Sequence, residues 1–287
     1  MTIPSKKIMM PLLLVLIAVF LGTSANENKR INNPFVKDTI EQQCEIENKS
    51  FAVGEEFVFK IYYNWNFVWL SAGEVVFKVE DEGDQYHVSA HGRTYRNYEW
   101  FFTVSDKYDS YIDKETLLPQ TSIRDIQEGK YTLYDKITFD QSTNTATSLR
   151  GKTKDSAETT TYNIESCMHD ILSIVYFARN LDFEGMTENS SIPIKVFVDK
   201  ETWPLKVKYL GEESKKKIKG MGKFDTYKFS PEVIVGNVFN EGTQMKVWVS
   251  KDENKLPLLI ESPVSVGSVK AVLKEYKGLR HELTAKR

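Results

Sequence analysis

The sequence predicts a mainly β fold in which a strongly curved antiparallel sheet folds over one principal helix. Short segments that alternate apolar and polar residues recur along most of the 287-residue chain, and Gly, Asn and Asp turns separate them. A period of two is typical of half-buried strands. Between residues 170 and 183 the period changes once, to three and four, which is typical of an amphipathic helix. Aromatic residues make up 12% of the chain, and they favour pleated, half-buried surfaces.

The aromatic stretch IYYNWNFVW belongs to the first of the predicted strands. Its odd positions form one apolar face, which favours a single half-buried strand. These positions are Ile61, Tyr63, Trp65, Phe67 and Trp69. Strands follow at residues 72–80 and 86–92, with the turn-like sequence DEGD between them, and residues 95–113 are again aromatic and β-like. Further strands are predicted at residues 120–125, 130–140, 146–152 and 158–163.

Residues 170–183 form the predicted helix. Apolar residues recur there at the spacing of one helix face, at Ile171, Ile174, Val175, Ala178 and Leu181. Ser166 is suited to cap the N-terminal end, and Gly185 lies beyond the C-terminal end. After the helix, strands are predicted at residues 192–198, 205–210, 216–220, 226–231, 245–250, 258–262 and 269–276.

Three segments share one design, in which a strand leads through an acidic or polar turn and a proline into a second strand. They are residues 111–123, 197–209 and 248–261. Asp and Asn suit tight turns, and a proline at the start of a strand loses no needed ladder bond. The unequal spacing of the three segments excludes a solenoid. We therefore expect three similar hairpins in a meandering antiparallel sheet.

The N-terminal residues predict export. Lys6 and Lys7 precede an apolar run at residues 9–21, and small residues then lead to Ala25. This is the pattern of a signal peptide at residues 1–25, and the run is shorter than the roughly 20 residues that span a bilayer. A lipid-anchored form is disfavoured because no Cys follows. We expect an arm at residues 26–47, a single β-rich domain at 48–280 and a tail at 281–287, in a periplasmic or secreted protein without a transmembrane segment after cleavage.

Cys44 and Cys167 are the two cysteines of the chain. An exported protein meets an oxidising compartment, so a disulfide between them is expected. Closing so long a loop contributes about 4–5 kcal/mol in the chain-entropy model. The alternative is two unpaired buried thiols.

The sequence offers no recognisable catalytic or metal-binding motif. His87 and His91 lie on one face of a predicted strand, but no third ligand is near, and surface or structural roles are the better interpretation. Cys167 and His169 are only two residues apart, which disfavours a nucleophile and base. No GxSxG sequence or Gly-rich phosphate loop is present. The sequence therefore predicts no enzyme, no cofactor and no metal, and the net charge of -2 gives no reason to expect nucleic acid.

Two features of the residue composition suggest that the protein binds a ligand. Aromatic residues interleaved with polar groups could line an apolar cavity or stack on a sugar ring. The candidates are Tyr63, Trp65, Phe67, Trp69, Tyr98 and Trp100. The alternative, which the sequence favours, is that they are strand core. The basic run SKKKIK at residues 214–219 could contact anionic envelope lipid or polysaccharide, although lysines also protect solvated edge strands.

Several segments together resemble a known family. They include ESCMHDILSIVYFARNLDF, VGEEFVFKIYYNWNFVWLSAGE, KGMGKFDTYKFSP and the run KVWVSKDENKLPLLIESPVSVGSVKAVLKEYKGL. In this order, over about residues 44–279, they are similar to the domain-of-unknown-function 3108 family of exported bacterial proteins, particularly those of Bacteroidetes. The resemblance implies an envelope protein with an open, barrel-like or spiral β architecture, similar to the unclosed barrels of the lipoprotein-carrier (Lol) group. It implies no reaction and no catalytic residue.

Three functional hypotheses follow. The leading one is a non-enzymatic exported protein that binds or carries an apolar or amphipathic envelope ligand, such as a lipid. The second is a structural factor that contacts other envelope proteins through an exposed apolar patch or an open strand edge. The third is a glycan-processing hydrolase, which would need carboxylates or histidines converging on a cleft.

Overall fold

The structure, a computed structural model, describes residue 44 and residues 46–65, 68–99, 103–234, 242–264 and 267–287. It is mainly β, as predicted. Fourteen strands form one antiparallel sheet in the order β8-β7-β6-β5-β4-β3-β2-β1-β14-β13-β12-β11-β10-β9. Two meanders, β1–β8 and β9–β14, are therefore joined where β1 pairs with β14. Within the described residues, no helix is both long and apolar enough to cross a membrane.

The elements follow the chain in a regular alternation of strands and short turns. The first meander contains β1 (Glu56–Trp65), β2 (Val68–Glu82), β3 (Gln85–Thr94), α1 (Arg96–Glu99), β4 (Ser105–Asp113), β5 (Pro119–Glu128), β6 (Tyr131–Asp140), β7 (Thr145–Gly151), a 3-10 turn (Lys154–Ser156) and β8 (Glu158–Asn163). The second follows α2 (Ser173–Ala178) and contains β9 (Ser191–Val198), β10 (Glu201–Ile218), β11 (Gly222–Pro231), β12 (Lys246–Ser250), β13 (Pro257–Pro263) and β14 (Ser268–Lys277).

The sheet curls until its two edges meet without pairing as strands. Tyr162 on β8 and Phe197 on β9 have ring centroids 5.5 Å apart, although their strands stand at opposite ends of the strand order. The chain between β8 and α2 fills the gap, because His169 forms a parallel bridge with Val196 of β9. Met168 of the same segment exchanges hydrogen bonds with the Gln141 side chain in the β6–β7 turn. The result is an open, barrel-like sheet whose seam is sealed by side chains.

The seam has its own small core, separate from the main one. Ile137, Phe139, Ala146, Ile164, Met168 and Phe197 are buried together there. The disulfide expected from the sequence is present beside it: Cys44 is bonded to Cys167, with Cα atoms 4.7 Å apart across 123 residues. The N-terminal segment is thereby tied to the seam.

The helix α2 is shorter than the predicted range of residues 170–183. Its N-terminal end is set by the side chain of Asp170 rather than by Ser166, since Asp170 Oδ1 accepts hydrogen bonds from the backbone N–H groups of Leu172 and Ser173. This Asx-type turn competes with helical geometry. At the other end, the N–H groups of Asn180 and Leu181 bond to carbonyls three residues back, which tightens the chain into turns.

The prediction of a single strand across IYYNWNFVW is wrong. Trp65 pairs with Val68, and Tyr63 pairs with Leu70, so the chain reverses between β1 and β2. Directly paired residues share a face of the sheet. Trp69 pairs with Asn64, and it therefore lies on the opposite face from Tyr63. The odd-numbered apolar face does not continue through the turn.

Two other boundaries differ from the sequence prediction. Residues 96–99, expected to be β-like, form the short helix α1. Residues 205–210 and 216–220 were expected to be separate strands, but the first range and most of the second belong to β10, which is continuous through two register irregularities against β11. The three expected hairpins are confirmed as β4–β5, β9–β10 and β12–β13.

Arg179, at the end of α2, connects the helix to both meanders. Its guanidinium forms two hydrogen bonds with the Glu55 carboxylate, at 2.5 and 2.8 Å, just before β1. It also donates to the backbone carbonyls of Ser50 and of Asn254, the latter in the β12–β13 turn. Arg179 is 3% exposed and Glu55 1% exposed. The helix is therefore fixed by a fully paired buried cation.

The C-terminal residues, expected to be a tail at 281–287, pack against the second meander. Ala285 is buried, and Lys286 forms a bridge with Phe224 of β11. Arg287 forms an ion pair with Asp225 at 2.6 Å.

Replacing Arg179 with Met should lower the free energy of unfolding by about 3 kcal/mol or more, because it leaves the Glu55 carboxylate buried and unpaired. Urea denaturation monitored by circular dichroism measures this. Lys277→Met breaks the more exposed pair with Glu56 and serves as the control, with an expected loss below about 1 kcal/mol. Equal losses in the two variants would contradict the role assigned to Arg179.

Candidate functional site

An apolar cavity of about 150 Å³ lies between α2 and strands β9–β13. The helix contributes Ile174, Val175 and Ala178, which are spaced at three and four residues and so lie on one face. The sheet contributes side chains from alternating positions, including Ile192 and Ile194 of β9 and Val247 and Val249 of β12. The same patterns that predict helix and strand thus place apolar side chains on both walls of the cavity.

The described lining of the cavity contains two charged residues, Arg179 and Lys255, and both are basic. Arg179 is fully occupied by Glu55 and two carbonyls, so its charge is already balanced. Lys255, in the β12–β13 turn, is half-buried and its ammonium stands 5.5 Å from the centroid of Phe183. Within the described part of the chain, Lys255 forms no ion pair. Burial lowers the pKa of Lys255, and the nearby carboxylate of Asp182 opposes that shift.

The lining determines what the cavity can accommodate. A dry cavity of about this volume lined by aliphatic side chains can bind benzene in another protein. The cavity therefore fits a ring or a hydrocarbon segment of roughly six carbons. A cation at the edge of an apolar cavity favours an anionic group on the part of the ligand that remains near solvent.

The aromatic residues proposed from the sequence do not line this cavity. Tyr63 is half-buried on β1, and Trp69 is 40% exposed on β2 and lies on the other face of the sheet. Trp65 ends β1 and Tyr98 lies in α1, but their side chains are outside the described residues, as are Phe67 and Trp100 altogether. The structure thus does not bring the six together around one described cavity, and their role in binding stays a prediction.

His87 and His169 have hydrogen-bond partners among the described residues. His87 Nε2 lies 2.8 Å from Asp109 Oδ1, and that hydrogen bond raises the pKa of His87. Burial lowers the pKa of His91. His169 is buried beside Ser173, and burial lowers its pKa to about 3, so it is neutral at physiological pH. Among the described residues, no group of three or more His, Cys, Asp or Glu could hold a metal ion.

The first meander contains a buried polar network that sequence reasoning missed. Arg124 bonds to Asp135 at 2.5 Å and to Asp199 at 2.9 Å, and Arg150 bonds to the same two aspartates at 2.6 and 2.8 Å. Because Asp199 follows β9, this network joins the two meanders across the seam. Charged residues this far apart in sequence carry no local signal of their pairing.

Asp106 and Glu128 form a second buried polar feature on β4 and β5. Burial raises the pKa of both carboxyl groups. The nearby Asp106 carboxylate raises the pKa of Glu128 further. Asp106 Oδ1 accepts the N–H of Gln127, whereas Asp106 Oδ2 and Glu128 Oε1 have no hydrogen-bond partner among the described residues. A proton held between the two carboxyl groups would satisfy these oxygens. Neither residue lines the apolar cavity.

Comparison with known proteins identifies the family and supports the fold. A family model described as a protein of unknown function (DUF3108) matches residues 58–274. No curated protein matches the chain. Among solved structures, a β-barrel-like protein of the domain of unknown function DUF1849 from Brucella abortus has a TM-score of 0.55 at 9% identity. The match covers 79% of this chain and 98% of that protein, and at this identity it supports the fold alone.

Two further solved structures match with lower TM-scores. One is a Bacteroides fragilis protein described as exported and as having a YmcC-like fold, with 10% identity over 81% of this chain and 99% of that one. The other is described as a lipoprotein from Parabacteroides distasonis, with 13% identity over 82% and 100% of the two chains. Their TM-scores are 0.29 and 0.30, which carry no argument about fold or function.

Glu128→Gln should make the stability of the protein less dependent on pH. The unfolded carboxyl groups of Asp106 and Glu128 lose their protons near pH 4, whereas the folded groups keep them to higher pH. Between those limits the folded state binds more protons, so the free energy of unfolding falls as pH rises. Urea denaturation from pH 4 to pH 9 should show a shallower fall in the variant. Glu158→Gln, at an exposed position of β8, should keep the fall of the unmodified protein; identical profiles for all three proteins would contradict the assignment.

Proposed function

We propose that this chain, which belongs to the DUF3108 family of proteins of unknown function, is an exported, non-enzymatic protein that binds or carries an amphipathic ligand. The apolar part of the ligand lies in the cavity between α2 and β9–β13. The observation that supports this proposal most strongly is the cavity itself, which is apolar on both walls and has Lys255 at its edge. Export is inferred from the signal-peptide pattern at residues 1–25.

The chemistry of the lining supports binding over catalysis. The described lining residues include no carboxylate, imidazole, hydroxyl or thiol that could act as nucleophile or base. General acid–base catalysis needs such a group within hydrogen-bond reach of the reacting atom. The hydrolase hypothesis would need carboxylates that converge on this space, whereas the two charged residues of the described lining are Arg179 and Lys255.

The size of the cavity limits how much of the affinity it can supply. Burial of about six methylene groups contributes roughly 5 kcal/mol. Association itself costs about 4 kcal/mol or more. The cavity alone would therefore hold a hydrocarbon only weakly. Useful affinity requires a second contact, and Lys255 is placed to supply it to an anionic head group.

The second hypothesis, a protein-interaction factor, has one specific observation in its favour. β8 ends the strand order, and its residues are exposed except for Tyr162, which is half-buried. A strand edge of this kind can accept an added strand from a partner protein. Recovery of a stoichiometric partner that is lost when Thr160 is replaced by Pro would favour this function over ligand binding.

Ala178→Phe should weaken binding of cis-parinaric acid, a fluorescent fatty acid, at least about tenfold. Ala178 is half-buried on α2 and lines the cavity, so a phenyl ring would occupy the volume that a hydrocarbon of benzene size needs. Fluorescence titration of the purified protein measures the dissociation constant. Circular dichroism and urea denaturation establish that the variant remains folded.

Ala157→Phe is the matched control, because Ala157 is also half-buried but follows the 3-10 turn between β7 and β8, away from the cavity. It should bind the probe as the unmodified protein does. Unchanged binding in a folded Ala178→Phe variant would exclude the cavity as the site.

A further inference from the structure

A basic and aromatic groove of about 260 Å³ lies on the face of the sheet opposite the apolar cavity. Leu259 lines this groove, whereas its neighbour Ile260 lines the cavity. Successive residues of a strand point to opposite faces, so β13 separates the two spaces. The groove is therefore a distinct feature from the proposed ligand site.

The basic side of the groove comes from the end of the β10–β11 hairpin, within the SKKKIK run. Ile218 is buried at 1% exposure, which leaves its neighbours Lys217 and Lys219 exposed at the groove. The hairpin is held in place further back, because Trp248 Nε1 donates a hydrogen bond of 2.7 Å to Glu213. Lys216 also stands 4.0 Å from the Trp248 ring centroid.

The aromatic side of the groove comes from β1 and β2. Lys219 Nζ stands 4.7 Å from the ring centroid of Tyr62, and Lys60 Nζ stands 5.6 Å from it. Beside them, Trp69 is 40% exposed, and it is one of the few exposed large apolar side chains among the described residues. Two features that are about 150 residues apart in the sequence thus meet at one surface.

The charge of this surface is strongly positive. The described lining of the groove contains Lys217, Lys219 and Lys270 against a single carboxylate, Glu261. Glu261 is paired with Lys270 at 2.8 Å. Within the described residues, Lys217 and Lys219 have no ion pair, and the ammonium of Lys219 contacts an aromatic ring instead. The surface therefore has uncompensated positive charge next to an exposed tryptophan.

We propose that this surface, formed by the groove with the exposed Trp69, docks the protein on an anionic phospholipid bilayer. Head-group phosphates would contact Lys217 and Lys219, and Trp69 would enter the interfacial region. A bilayer surface presents both partners that this chemistry needs, negative charge outside and an apolar phase directly below it. Tryptophan is enriched at such interfaces, and each lysine near an anionic surface strengthens attraction roughly fivefold. The proposal does not depend on what fills the apolar cavity.

Sedimentation with vesicles tests the proposal. The purified protein should bind vesicles of phosphatidylcholine with one third phosphatidylglycerol, and it should bind pure phosphatidylcholine vesicles much less. Added salt should weaken the binding because it screens exposed charges. Lys217→Glu with Lys219→Glu should weaken the binding at least about 20-fold. Trp69→Ser should also weaken binding to the anionic vesicles, and the remaining binding should still depend on salt.

The matched control is Lys152→Glu with Lys154→Glu. These lysines are likewise exposed and two residues apart, and the double change alters the net charge by the same amount. The control should bind the anionic vesicles at least tenfold better than the groove variant. Equal loss in the two variants would overturn the proposal, since binding would then follow net charge alone. Binding to dextran sulfate but not to the vesicles would also overturn it, in favour of a polysaccharide.

Cis-parinaric acid binding separates this proposal from the proposed function. The groove variant should bind the probe as the unmodified protein does, and Ala178→Phe should bind anionic vesicles normally. Loss of both activities in folded groove variants would contradict the separation of the two sites.

Discussion

The buried pairing of Arg179 with Glu55 is the constraint on which the arrangement of the interior depends. A buried guanidinium is strongly destabilising unless it is paired and its donors are satisfied. Here its partners come from the segment before β1 and from the β12–β13 turn, so the end of α2 can lie in only one place. The Asp170 carboxylate fixes the other end, because it accepts a hydrogen bond of 2.5 Å from Ser110 on β4. The apolar cavity is the space that a helix held at both ends leaves against β9–β13.

A second constraint is that the edge strands β8 and β9 do not pair with each other, so the curled sheet stays open. The chain between them forms the seam, where a bridge to β9, the Gln141 hydrogen bonds and the Arg124 network take the place of a strand ladder. The diameter of a barrel grows with its number of strands; about eight strands enclose an interior that side chains can just fill, and this sheet has fourteen. The architecture therefore allows an interior cavity, and α2 determines where it lies.

The sequence predicts the architecture well and the sites poorly, for physical reasons. Period-two patterning and turn residues are local, so the hairpins and the single principal helix are readable from them. The chain reversal between Trp65 and Val68 cannot be read from this pattern. Apolar residues continue to alternate through the reversal, although the odd-numbered residues after it lie on the opposite face of the sheet from those before it. The cavity joins α2 to strands far along the chain, and Lys219 meets Tyr62 only after folding. Such pairings depend on tertiary packing, which residue spacing does not contain.

The measurement that tests the central claim most directly is mass spectrometry of organic extracts from the protein, purified gently from the compartment to which it is exported. The account predicts a near-stoichiometric amphiphile with a hydrocarbon part and an anionic head group. It also predicts that the amphiphile is absent from the folded Ala178→Phe variant purified in the same way. An amphiphile retained equally by both proteins would contradict the account, as would an extract free of amphiphile from a protein that also fails to bind added fatty acid.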